Sequence, residues 1–219
     1  MPEPGWPWYE CPVGFAAIGL TGGIGSGKST VARMFETDCG VPVVDADQIA
    51  REVVAPGSDG LRDVVRRFGD DVLSPAGELD RAKLAERVFD DPDERRALES
   101  ILHPRIGLAS MQRMAKLATE GHAYAIYEAA LLVENGSYKS FAGLIVVSVD
   151  EATQLARVAA RDGQGEDAAR ARIAAQLPTA SKVAVADYVI DNSGSLEETR
   201  QQVRAVHGRI LERFGGSGT

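Results

Sequence analysis

Short apolar runs alternate along this chain with stretches in which apolar residues return every three or four positions. The first run, Phe15-Ala-Ala-Ile-Gly-Leu20, reads as a buried parallel strand. It leads through a glycine-rich stretch into Val31-Ala-Arg-Met-Phe35, which has helix formers and helical apolar spacing. Further strands are expected at 41–44, 123–127, 144–149 and 188–190. Strands alternating with helices predict βαβ units, and so an α/β fold with a five-stranded parallel sheet. The last helix has the clearest signal. Leu196, Val203, Val206, Ile210 and Phe214 recur at helical spacing, and Ser195 with Glu198 forms a capping box.

Two stretches exceed what a crossover needs. Residues 57–120 read as a helical subdomain beside the sheet, with Leu98, Ile101, Leu102, Ile106 and Ala109 suggesting one buried face. Pro104 falls within that face and is expected to start or kink a helix. A second helical insertion spans 150–185. The segment 1–13, with Pro2, Pro4, Pro7, Pro12, Trp6, Trp8 and Tyr9, reads as an irregular arm. It lacks the basic start and apolar core of a signal peptide. Residues 215–219 read as a frayed tail, which leaves 14–214 as a single expected domain.

Composition narrows the possible partners. The chain has 219 residues, 44% hydrophobic and 26% charged, with net charge −8 and a sequence pI near 5.0. That balance argues against a general nucleic-acid binder or an anionic membrane surface. No run is long enough to span a bilayer as a helix. Cys11 and Cys39 form no C-x-x-C pair, and His103, His122 and His207 are scattered, so neither a disulfide framework nor a zinc site is expected. A reduced, cytoplasmic setting follows. Positive charge for an anionic ligand must be local.

That local site is Gly22-Gly-Ile-Gly-Ser-Gly-Lys-Ser29, which fits G-x-x-x-x-G-K-[ST] between a strand and a helix. Glycines let the backbone form a nest whose N–H groups point at an anion, and the helix dipole adds to it. Gly23, Gly25, Ser26, Gly27, Lys28, Ser29 and Thr30 are therefore expected to hold a nucleotide triphosphate such as ATP. Lys28 would reach the β and γ phosphates, and the Ser29 hydroxyl would meet Mg²⁺.

Other polar positions collect at strand ends. Val43-Val-Asp-Ala-Asp47 closes the second strand, where ligands bind in open α/β sheets. Asp45 and Asp47 could accept a proton during phosphoryl transfer, or cap the helix at 48–54. Glu128 closes the third strand and could hold a metal-bound water, orient Lys28, or cap a helix; Glu134 reads as surface. Arg157 and Arg161 share a helical face, and Arg172 and Gln176 repeat the spacing. Such arginines suit a lid over a transferring phosphoryl group, or a solvated face paired with Asp162, Glu166 and Asp167. His103 is a packed or capping residue, or a ligand contact. Asn192, in the loop after the fifth strand, is placed to touch a base, or is simply part of a turn.

Together these segments resemble the dephospho-CoA kinase family. The matching text is Ile18-Gly-Leu-Thr-Gly-Gly-Ile-Gly-Ser-Gly-Lys-Ser29, Asp45-Ala-Asp47 with Ile49-Ala-Arg51, Leu102-His-Pro104 and Leu131-Leu-Val-Glu-Asn-Gly136. Arg157, Arg161-Asp162, Arg172-Ile173, Gln176 and Asp187-Tyr-Val-Ile-Asp-Asn192 complete it. The resemblance implies a three-layer P-loop kinase fold with a helical acceptor-binding insertion at about 57–120 and a helical lid at about 151–185. It implies transfer of the ATP γ-phosphate to the ribose 3′-hydroxyl of dephospho-CoA, with Mg²⁺. It makes Lys28, Asp47 and Arg161 the catalytic set, with Asp47 as base and Arg161 on the lid. Arg157 and Asn192 fall toward the nucleotide, and Arg51, His103 and Glu128 join Asp47 toward the acceptor. One departure is Ala130, where the family commonly has proline. Another kinase of the same fold is the neighbouring reading. A guanine-reading switch is disfavoured, since neither Asn135 nor Asn192 opens an Asn-Lys-x-Asp motif.

Overall fold

The computed structural model describes residues 14–163 and 165–215. The expected arm at 1–13, with Cys11, and the tail beyond Gly215 lie outside them. The chain forms two compact units, one from the chain up to Val44 and from Met114 onward, the other from Asp45 to Arg113.

The first unit is built on β1 (Ala16–Gly22), whose seven residues are all buried. The other strands are β2 (Val43–Asp45), β3 (Tyr124–Glu128), β4 (Gly143–Ser148) and β5 (Tyr188–Asp191), in the order β2-β3-β1-β4-β5. β1 runs parallel to β3 (Ala16 opposite Tyr124) and to β4 (Ile18 opposite Gly143), and β4 runs parallel to β5. Period-2 alternation sorts β1 between two layers. Ala16, Ile18 and Leu20 face a core shared with Val31 and Phe35 of α1 (Lys28–Cys39) and with Val203, Val206 and Ile210 of α9 (Leu196–Phe214). On the opposite face Gly19 sits under Leu132, Phe141 and Leu144, where even a Cβ would lie 3.0 Å from Leu132. The α/β three-layer reading therefore holds, with strand boundaries shifted by one or two residues.

The capping box of α9 is present: Ser195 Oγ accepts from Glu198 N–H, and Glu198 Oε2 accepts from Ser195 N–H. Leu196, expected on the buried stripe, is 61% exposed. The buried position one turn before Val203 is Thr199 instead, and its hydroxyl is engaged by Asn192.

The second unit holds α2 (Ala46–Glu52), α3 (Asp59–Phe68), α4 (Arg81–Phe89) and most of α5 (Pro92–Thr119). Asp45, Ser58 and Asp80 cap the first three through side-chain oxygens. Val54, Leu61, Val64, Phe68, Val72 and Leu84 form its core, with Leu98, Ile101 and Leu102 of α5 against it. The helix runs through Pro104 without a break. Pro104 and Ser100, the residue whose carbonyl loses its donor, are both exposed, so water can replace the missing N–H. Next to it Arg105 donates to Ile101 O (2.6 Å) and pairs with Asp63. Among the described residues no helix is long and apolar enough to cross a membrane.

One part-buried polar pair should give the first unit a pH dependence. The Tyr124 hydroxyl lies 2.6 Å from His207 Nδ1. Burial pushes the Tyr124 pKa well above its ordinary value, so the phenol keeps its proton and donates. Burial also lowers the His207 pKa, so the imidazole accepts in its neutral form. Above about pH 6.5 folded and unfolded chains both carry neutral His207, and stability does not depend on it. Below that, the unfolded chain takes the proton first, and stability falls as pH drops toward the depressed folded value. Urea midpoints should therefore fall between about pH 7.5 and about pH 5.5, and His207→Gln should flatten part of that fall. An unchanged slope in the variant would remove His207 from the account.

Candidate active site

The turn between β1 and α1 is the strongest local feature of the first unit. Gly25 (φ 76°) and Gly27 (φ 82°) take left-handed conformations that only glycine adopts cheaply. Space for a side chain is lacking as well. A Cβ on Gly22 would meet Ser26 Oγ at 2.6 Å and Val147 O at 2.7 Å. A Cβ on Gly27 would run into the Asn192 carboxamide. Gly27 precedes α1 without a side-chain cap, so the Lys28 and Ser29 amides open the helix at a backbone nest, while Thr30 N–H donates to Gly27 O at 2.9 Å.

Two side chains of that first turn converge on one oxygen. Lys28 Nζ lies 2.5 Å from Glu128 Oε1, and Ser29 Oγ donates to the same oxygen at 2.9 Å. Glu128, the last residue of β3, is 5% exposed. It is not a helix cap: its carboxylate ties the end of β3 to the lysine and serine of the loop. In the adjoining turn Thr21 Oγ1 donates to Ala130 O, at the position that departs from the family pattern.

The far wall comes from α6 (Glu151–Asp162), the turn that follows α7 (Glu166–Ala174) and the loop after β5. Gln154 Nε2 donates to Ile24 O and Ile24 N–H donates to Gln176 Oε1, both at 2.8 Å. Asn192 Nδ2 donates to Ser26 O at 2.7 Å while its Oδ1 accepts from Thr199. Arg157 Nη2 donates to Asn192 O at 3.0 Å. Arg157 is therefore partly buried at the loop, not on a solvated basic face. Its Nη1 and Ser26 Oγ are buried with no hydrogen-bond partner among the described residues, and that Nη1 would lie 3.7 Å from a Cβ on Gly27. Unspent donors beside an anion nest fit a phosphorylated ligand.

The remaining candidates are placed as follows. Arg161 and Arg172 are exposed in the last turns of α6 and α7. In the second unit Asp45 is the N-cap of α2, accepting from Asp47 N–H and Gln48 N–H. Asp47 and Arg51 are exposed on α2, and His103 is exposed on α5. Sequence reasoning missed Gln154, Thr199 and Lys182. Lys182, in α8 (Thr179–Val183), is fully buried and pairs with Glu134, which is thus not plain surface. A buried ammonium needs a carboxylate beside it. Gln154 was legible only as a polar residue beside the buried Leu155 and Val158.

The chain is similar to known kinases. The family model described as dephospho-CoA kinase matches residues 16–198. A dephospho-CoA kinase of Syntrophotalea carbinolica is 49% identical, over 91% of this chain and 94% of that protein. One from Thermobifida fusca is 47% identical, over 90% and 97%. The solved dephospho-CoA kinase from Campylobacter jejuni superposes with a TM-score of 0.62 at 26% identity, covering 90% of this chain and 97% of that one. Shikimate kinase from Acinetobacter baumannii, at 18% identity and a TM-score of 0.50 over 91% and 94%, shares the fold.

Because Glu128 is nearly buried, Lys28→Ala should do two separable things. It removes the cation from the nest, which should cut turnover on the order of 10³-fold. It also strands a buried carboxylate, which should lower the melting temperature. Lys28→Ala/Glu128→Gln should recover most of the melting temperature and none of the turnover. Near-normal turnover in either folded variant would defeat this assignment.

Proposed function

The chain belongs to the dephospho-CoA kinase family, and we propose how its own residues perform that family's reaction. The reaction transfers the ATP γ-phosphate to the ribose 3′-hydroxyl of dephospho-CoA and yields CoA and ADP, the last step of coenzyme A biosynthesis. One observation carries the residue assignment: the loop Gly22–Ser29 is braced from outside while Lys28 and Ser29 are held on Glu128.

In this reading the nest amides and Lys28 take the β and γ phosphates and stabilise the charge that spreads over the migrating group. Arg157 and Asn192 line the nucleotide side. Arg161, at the end of α6, reaches the phosphoryl group when the lid region closes. Asp47 accepts the proton of the attacking 3′-hydroxyl; its carboxylate is exposed and free of the capping duty that Asp45 performs. Arg51 and His103 contribute to the acceptor side.

The donor set suits Mg²⁺, which takes few protein ligands and keeps water and phosphate oxygens for the rest. Among the described residues no cluster of three or more His, Cys, Asp or Glu side chains forms a cage of its own. Ser29 gives its proton to Glu128 and keeps its lone pairs for the ion. When bound, Mg²⁺ neutralises charge on the β and γ oxygens. A reduced, cytoplasmic setting suits the free Cys39.

Two measurements test the reading. ADP release with Mg-ATP should be far faster with dephospho-CoA than with AMP, adenosine or shikimate, and the product mass should show one added phosphoryl group. A small hydroxyl acceptor used faster at equal concentration would refute the substrate. Asp47→Asn should lose about 10²–10⁴-fold in turnover with ATP affinity nearly unchanged. Should Glu128→Gln be crippled while Asp47→Asn turns over well, the base has been misassigned.

A further inference from the structure

Gln154 and Gln176 both spend carboxamide groups on a single residue of the loop. Gln154 gives an N–H to Ile24 O, and Gln176 takes the N–H of Ile24, each at 2.8 Å. The two glutamines hold the main-chain groups on either side of one Cα. The Ile24 side chain points the same way and packs with Leu155, Val158 and Ala169, the small core where α6 meets α7. The flanking glycines complete the fit. A Cβ on Gly23 would come within 2.9 Å of Gln154 Nε2, and one on Gly25 within 2.7 Å of Val158 Cγ2. Gln154 is 6% exposed, so its hydrogen bond is made away from water, where leaving it unmade is costly.

We infer that Gln154 and Gln176 are positioning residues that clamp Ile24, locking the phosphate loop to α6 and to the turn that follows α7 so that loop and lid segment present their donors as one body. Arg157 follows Gln154 by one turn on α6 and is itself bonded to the Asn192 main chain. A slip of the loop against α6 therefore misplaces the nest and the nucleotide-side guanidinium together. The clamp also consumes the Ile24 amide, so this N–H is not among those offered to a phosphate. The inference rests on the ATP-dependent reading of the site, and it assigns the two glutamines to nucleotide binding rather than to the acceptor.

The test uses the full-length enzyme and the near-isosteric variants Gln154→Met, Gln176→Met and the double variant. Mg-ADP affinity is measured by calorimetry, KM for ATP and for dephospho-CoA by ADP release, and Tm by thermal melt. Each single variant should weaken Mg-ADP and raise the ATP KM about tenfold, with the dephospho-CoA KM within about twofold. Because both bonds act through one residue, the double variant should be little worse than the weaker single variant. Gln176→Glu, which keeps an acceptor oxygen for the Ile24 amide, should retain the wild-type melting temperature. Folded single variants with wild-type Mg-ADP affinity would overturn the clamp, as would losses that multiply in the double variant. A wild-type enzyme that failed to phosphorylate dephospho-CoA would refute the acceptor alone, since Mg-ADP affinity still decides the clamp.

Discussion

The carboxylate of Glu128 is the constraint on which the site depends. One of its oxygens holds both Lys28 and Ser29, the first two residues of α1, at the end of a fully buried strand. An ammonium with four methylenes is otherwise free to sample many rotamers. Here it is pre-aimed, and the cost of ordering it is met before ligand arrives. The same pairing makes a nearly buried carboxylate tolerable, since a buried charge persists only when compensated. On the proposed reading, stability and nucleotide handling are thus coupled through one oxygen atom.

Much of this was readable in the residues. Five strands, the loop, the last helix and its capping box follow from periodicity and motif spacing, because those signals are local. What the chain did not disclose was non-local. The partner of Lys28 is a hundred residues away in sequence, and Glu128 at a strand end could equally have capped a helix. Gln154 and Gln176 look like ordinary helix residues until the loop is seen between them. Leu196 fits an apolar stripe by spacing, but whether the stripe's first turn meets a core depends on Thr199 and Asn192. Pro104 looks like a break, and exposure of its face lets the helix continue. Asp45 and Asp47 are separated by cap geometry alone: one oxygen is committed to backbone amides, the other is not.

The loop glycines carry a related lesson. They are usually explained by what they offer a phosphate, but here several are demanded by the protein behind them. Gly22 is crowded by Val147 of β4, Gly25 by Val158 of α6, and Gly27 by Asn192. The nest is shaped from outside as much as by the loop's own dihedral freedom. Substitutions on β4, α6 or the loop after β5 can consequently alter anion binding with no change in the motif.

The strand order has a consequence for how the chain comes to be made. β1 precedes the other described strands and is the most central, yet its neighbours β3 and β4 appear only after roughly a hundred further residues. On the ribosome it emerges apolar, with both hydrogen-bonding edges open, while the intervening helices satisfy their backbones locally. The strand that will carry the phosphate loop is therefore the one most in need of shelter during synthesis. Truncation before Ser148 leaves it without a complete sheet to join.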